Sequence, residues 1–206
     1  MSIVKLNNQA VKNATSFGSI SSLGSMTFIK KLTASSSATL SFVDGSDGVV
    51  LDDTYKEYLF TFNNMNPTSD GIEFQFQANA SGGSGYNETI TSTFFSAYHN
   101  ESGSDSTLSY FTGNDQAQGT SFQDIHAQNS ADNDHGTCGT LHLFNPSSTT
   151  FVKHFIATLS GTSSGNYERN DFTAGYFNTT NAIDEIQFKF ASGDIDAGDI
   201  CLYGIA

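Results

Sequence analysis

Within residues 71–79, Phe74, Phe76 and Ala78 alternate with Glu73, Gln75 and Gln77. A period of two sorts one set of side chains to each face of a strand, whereas a helix would mix them. The alternation returns in Ile186, Phe188 and Phe190 against Glu185, Gln187 and Lys189, and Tyr58, Phe60 and Phe62 share one face of residues 55–63. Composition agrees with a chain built from strands. Its 18 Phe and 8 Tyr are strand formers, and 19 Gly against 2 Pro, among dense Ser, Thr and Asn, supply turns.

Further strands are expected at 26–32, 38–43, 90–99, 108–112, 137–144, 151–160, 172–178 and 200–205. The segment 151–160 is apolar on both faces (Val152, Phe155, Ile156, Leu159), which places it centrally in a sheet. Segments 55–63 and 71–79, joined by a polar connection, are expected to pair antiparallel, as are the last two strands across an acidic turn. Residues 113–136 are polar and read as a long loop anchored by Phe122 and Ile125. With about ten strands and no convincing helix, the expected fold is all-β, an antiparallel β-sandwich of jelly-roll or concanavalin-like type. It spans residues 26–206. Residues 1–25, where apolar side chains are sparse, read as an extended N-terminal arm that becomes ordered against a neighbouring subunit, with Ile3, Val4 and Leu6 as its contact residues.

A net charge of -13 with only 8 Lys and Arg argues against nucleic acid or an anionic membrane as partner, since both need clustered cations. No stretch approaches the ~20 apolar residues of a membrane helix. The first residues carry no signal-peptide core, so release by lysis from the cytoplasm of synthesis is expected rather than secretion. Cys138 and Cys201 belong to no ligand set and are expected as free thiols.

Chemistry finds little to build on. There is no Gly-x-Ser-x-Gly elbow, the histidines at 99, 126, 135, 142 and 154 lack metal-ligand spacing, and the glutamates are scattered. An enzyme is not expected, and neither is a cofactor. Asp44 and Asp47 flank a turn whose oxygens are weak candidates for calcium, without the twelve-residue EF-hand pattern. Loops around Tyr86 and Tyr110 are candidates for an exposed recognition end, where aromatic rings can stack on a host-surface glycan.

Several stretches together resemble a family of small virion structural proteins of tailed phages, marine ones in particular. They are 32–42 (LTASSSATLSF), 54–58 (TYKEY), 66–71 (NPTSDG) and the ending SG at 192–193 followed by GDICLYGI at 198–205. An arm with KLNN at 5–8 is similar too. The sequence departs from that pattern at Cys201 and in residues 113–136. The resemblance implies a non-enzymatic component of the particle surface, a head decoration (cement) protein or a tail-fibre component. It would act as a homo-oligomer, a trimer foremost, against other virion proteins. A lectin-like receptor-binding module of a tail fibre is the alternative.

Overall fold

The computed structural model describes residues 25–206, in which thirteen strands and no helix occur. β1 (Met26–Thr33), β2 (Leu40–Val43), β3 (Glu57–Pro67) and β4 (Ile72–Ala80) come first, then β5 (Ile90–Asn100), β6 (Ser106–Tyr110), β7 (Ala117–Gly119) and β8 (Gln123–Asn129). β9 (Thr137–Phe144), β10 (Lys153–Thr162), β11 (Tyr167–Phe177), β12 (Ile183–Phe190) and β13 (Ile195–Ile205) follow. They form two sheets of unequal size. The larger has nine strands in the order β1-β13-β3-β9-β10-β11-β5-β6, with β7 also on β5, and the smaller has four in the order β2-β12-β4-β8. Every pairing is antiparallel.

The alternating aromatics close the two sheets on each other. Phe42, Phe74, Phe76 and Phe188 of the smaller sheet meet Phe60, Phe62, Phe155 and Phe177 of the larger, all buried. Phe188 is the hub: its ring lies 5.3 Å from Phe60, 5.2 Å from Phe62, and 6.1–6.2 Å from Phe42, Phe74 and Phe76. The cross-sheet pairs Phe60–Phe188, Phe62–Phe188 and Phe62–Phe74 meet edge to face, which satisfies the ring quadrupoles in addition to removing apolar area from water.

Two expected pairings are corrected by this arrangement. Segments 55–63 and 71–79 lie in opposite sheets, as β3 and β4, and so do β12 and β13. Each of these strands carries a full apolar face, and crossing to the other sheet turns that face onto its sequence neighbour's across the core. β3 and β4 meet in this way through Phe62 and Phe74, 5.3 Å apart. β13 starts at Ile195, five residues before the expected strand, because the acidic turn is itself strand with bulges around Ala197. Gly198 sits in the last of these at φ +125, and a Cβ there would approach the Asn64 carbonyl and the Met65 sulfur to 2.8 Å. Only glycine fits both the backbone angle and the gap.

The remaining corrections are local. Residues 113–136, read as a loop, contain β7 and the buried strand β8. The expected strand at 108–112 is β6, which starts two residues earlier. β10 is central as expected, between β9 and β11. The arm, with Ile3, Val4 and Leu6, lies outside the described residues.

Shortening the hub tests this packing. Phe188→Ala is expected to cost about 3–5 kcal/mol in urea-unfolding free energy. A loss below about 1 kcal/mol would show that the ring does not bridge the sheets.

Candidate functional site

Two regions stand out, on opposite sides of the larger sheet. The first is its outer face. Residues opposite one another in an antiparallel pair share a face, so the register traces rows across the sheet. One row runs Phe28, Tyr203, Leu59, His142, Ile156, Ala174, Thr93. The next runs Lys31, Cys201, Thr61, Thr140, Thr158, Phe172, Phe95, Tyr110. Lys31 is the one formally charged side chain in either row. Phe28 is 57% exposed, Ile156 49% and, at the opposite edge of the same face from Phe28, Leu108 70%. Phe95 and Phe172 stack at 4.8 Å with planes 8° apart. Beside Ile156 lies a hollow of about 460 Å³, bordered by Thr93, His154, Ala174 and Tyr176. Glu57, Glu168 and Asp199 stand at the margins of this face, and a centre this poor in charge, on a chain of net charge -13, is unlike a solvated surface.

The second region is a cleft between the sheets, where β5 and β11 extend past β8. Arg169 and Asp171, both on the inner face of β11, are buried. The Arg169 Nε donates to both Asp171 carboxylate oxygens at 2.9 Å, and Asp171 Oδ2 also accepts the Ala127 backbone N–H at 2.8 Å. The guanidinium carbon lies 5.0 Å from the centre of the Phe111 ring. A cavity of about 210 Å³ opens there, lined by Arg169, Phe111, Tyr98, Tyr167, Gln128 and Ser163. β8 bulges at this point, with Gln128 at φ +56.

Behind the cleft lies a polar cluster. His126 is fully buried, and its Nδ1 lies 2.9 Å from Asn129 Oδ1, which also accepts the Thr137 hydroxyl at 2.6 Å. Asn129 Oδ1 can only accept, so the imidazole donates from Nδ1 and leaves Nε2 unpartnered among the described residues. Burial pushes the His126 pKa down. On the same strand, burial pushes the Asp124 carboxyl up to about 6, with Glu73 and Asp171 adding repulsion, against hydrogen bonds from Gln75 at 2.7 Å and Asn114 at 2.8 Å.

The sequence-derived candidates are dispersed. Tyr86 is half-buried against the smaller sheet, its hydroxyl donating to Glu185 at 2.8 Å. Tyr110 is exposed on β6 at the far edge of the larger sheet, its hydroxyl bonded to Asp115. Asp44 Oδ1 accepts the Leu51 N–H at 2.8 Å and closes the turn, while Asp47 lies 3.9 Å from the Lys30 ammonium. Among the described residues no three His, Cys, Asp or Glu side chains gather as a metal-ion ligand set. Cys138 and Cys201 are free thiols. Arg169 escaped the sequence reading because residues 161–170 look like a turn. Its signal was rarity: it is the only arginine in the chain. Comparison of the chain with protein-family models, with curated proteins and with solved structures finds no match.

The shifted carboxyl yields a pH prediction. Asp124 titrates near its ordinary value of 3.8 when unfolded and at about 6 when folded. Between those values the folded protein holds the extra proton, so raising the pH removes stability. The wild type is expected to lose on the order of 2 kcal/mol relative to Asp124→Asn between pH 4 and pH 7, measured by denaturant titration. The His126 contribution is common to both proteins and cancels. A pH-independent difference would refute the shift.

Proposed function

We propose that this chain is a non-enzymatic structural protein of a tailed-phage particle. In this reading it is exposed on the particle surface, as a head decoration protein or a tail-fibre component, and acts through subunit contacts. The observation that carries the contact reading is the charge-poor outer face of the larger sheet, with Phe28, Ile156 and Leu108 standing out of it. The occupant we assign to that face is a second copy of this chain. A chain of net charge -13 repels its copies, and apposition costs least where carboxylates are few. The hollow beside Ile156 offers a socket for a projecting apolar side chain.

The assignment to a virion rests on the resemblance of residues 32–42, 54–58, 66–71 and 198–205 to phage structural proteins. In the same reading the two sheets form a sandwich of jelly-roll or concanavalin-like type, the assembly is a trimer, and residues 1–25 add a second contact element through Ile3, Val4 and Leu6. The other partners are virion proteins, and the place of action is the particle released by lysis. The runner-up is a carbohydrate- or receptor-binding module of a tail fibre, which has in its favour the aromatic-walled cleft at Arg169.

The contact face is tested by light scattering of the full chain. The wild type is expected to be oligomeric at micromolar concentration. The double variant Phe95→Asp, Ile156→Asp is expected to be monomeric with its melting temperature changed by less than about 5 °C, as for exposed positions. A monomeric wild type, or an oligomer that survives both aspartates, would overturn the reading. Mass spectrometry of purified particles tests the virion assignment: absence of the chain from them contradicts it.

A further inference from the structure

We propose that the cleft at Arg169 binds a carboxylate-bearing sugar, of hexuronic or sialic acid type, at the end of a glycan. The site lies on the inner side of the larger sheet, so it stands apart from the contact face and holds whether or not copies assemble there.

Arg169 has hydrogen-bond donors to spare. Arg169 is 4% exposed, and its Nε is committed to Asp171. Neither Nη group meets an acceptor among the described residues, so the end-on edge of the guanidinium faces the cavity with its donors free. Paired with Asp171 on one edge, the guanidinium keeps its other donors for solvent or for a ligand acceptor in the cavity. Two oxygens at carboxylate spacing match that edge, and charge-assisted pairs of this kind are stronger than neutral ones. The side chains of Gln128 and Ser163 also line the cavity without hydrogen-bond partners among the described residues. The β8 bulge aims Gln128 there, as bulges beside binding sites do.

The rest of the cleft narrows the ligand. Tyr98 and Tyr167 meet edge to face, 5.4 Å apart at 86°, and both rings line the cavity. Such walls suit the apolar C–H face of a pyranose ring. Asp105 at the rim accepts the Tyr167 hydroxyl at 3.3 Å. A carboxylate at the mouth disfavours a bare inorganic anion but offers an acceptor to a ligand that also carries hydroxyls. A cavity of about 210 Å³ equals roughly seven water molecules at about 30 Å³ each, which is room for one sugar ring and not for a chain. The overall acid excess matters little at this range, because exposed charges are screened beyond about 8 Å in physiological salt.

Saturation-transfer NMR on the full chain tests the assignment with four probes: methyl glucuronide, methyl sialoside, methyl glucoside and acetate. At least one acidic glycoside is expected to bind with a Kd of about 1 mM, with methyl glucoside and acetate each at least about tenfold weaker. Which acidic glycoside binds distinguishes the hexuronic from the sialic source. Arg169→Lys is expected to abolish binding but also touches the buried Asp171. Gln128→Ala, at an exposed position, is therefore the cleaner variant, expected to weaken binding about fivefold at an unchanged melting temperature. The assignment falls if neither acidic glycoside binds below about 20 mM, if the glucoside binds equally well, or if Gln128→Ala leaves binding unchanged.

Discussion

The structure depends on one layer of phenylalanine rings. Phe188, on the smaller sheet, reaches five other rings, and those rings come from strands β2, β3 and β4. Because that contact must be dry, every strand entering it has to turn an unbroken apolar face inward. The chain meets this requirement by switching sheets between β3 and β4 and again between β12 and β13. Sequence neighbours thereby become partners across the core, and the pairing within each sheet is left to distant segments. The terminal strand β13, for instance, pairs with β1 and β3.

Unequal sheets have consequences on both sides. Four strands cannot cover nine, so β5 and β11 run past the edge of β8, and there the interior turns polar. Arg169, Asp171, His126 and Asn129 replace the rings and are held by hydrogen bonds. A buried polar cluster is tolerable only when its groups find partners. The groups that find none are therefore informative, and Arg169, whose Nη groups meet no acceptor among the described residues, lines a stretch of that interior which opens to solvent. On the outer side of the larger sheet the logic reverses. Carboxylates reach that face at its margins, through Glu57, Glu168 and Asp199, while aromatic, aliphatic and threonine side chains fill its centre.

How far the fold could be read from sequence follows from what alternation encodes. Faces were legible: Phe74 and Phe76 point inward and Glu73 and Gln75 outward, as read. Partners were not, because a period of two fixes a strand's face but says nothing of which strand lies beside it. β8 was invisible because its inward residues are Gln123, His126 and Asn129 alongside Ile125, so polarity did not mark the exposed side. Arg169 was hidden by flanking Glu168, Asn170 and Asp171, which together read as a solvated turn. Only the register, which sets Arg169 opposite Tyr98 on the inner face, brings it into a cleft.

The claim that the outer face joins copies of this chain can be measured without altering the protein. Cys201 stands in the second row of that face, and Cys138 lies on the same face two strands away, opposite Ser160. Both are free thiols, Cys138 exposed and Cys201 half-buried. Their alkylation rates, followed by mass spectrometry across a dilution series, report whether that face is covered. Slow labelling is expected in the concentrated, assembled protein, with acceleration on dilution to monomer. Equal rates in oligomer and monomer would contradict it.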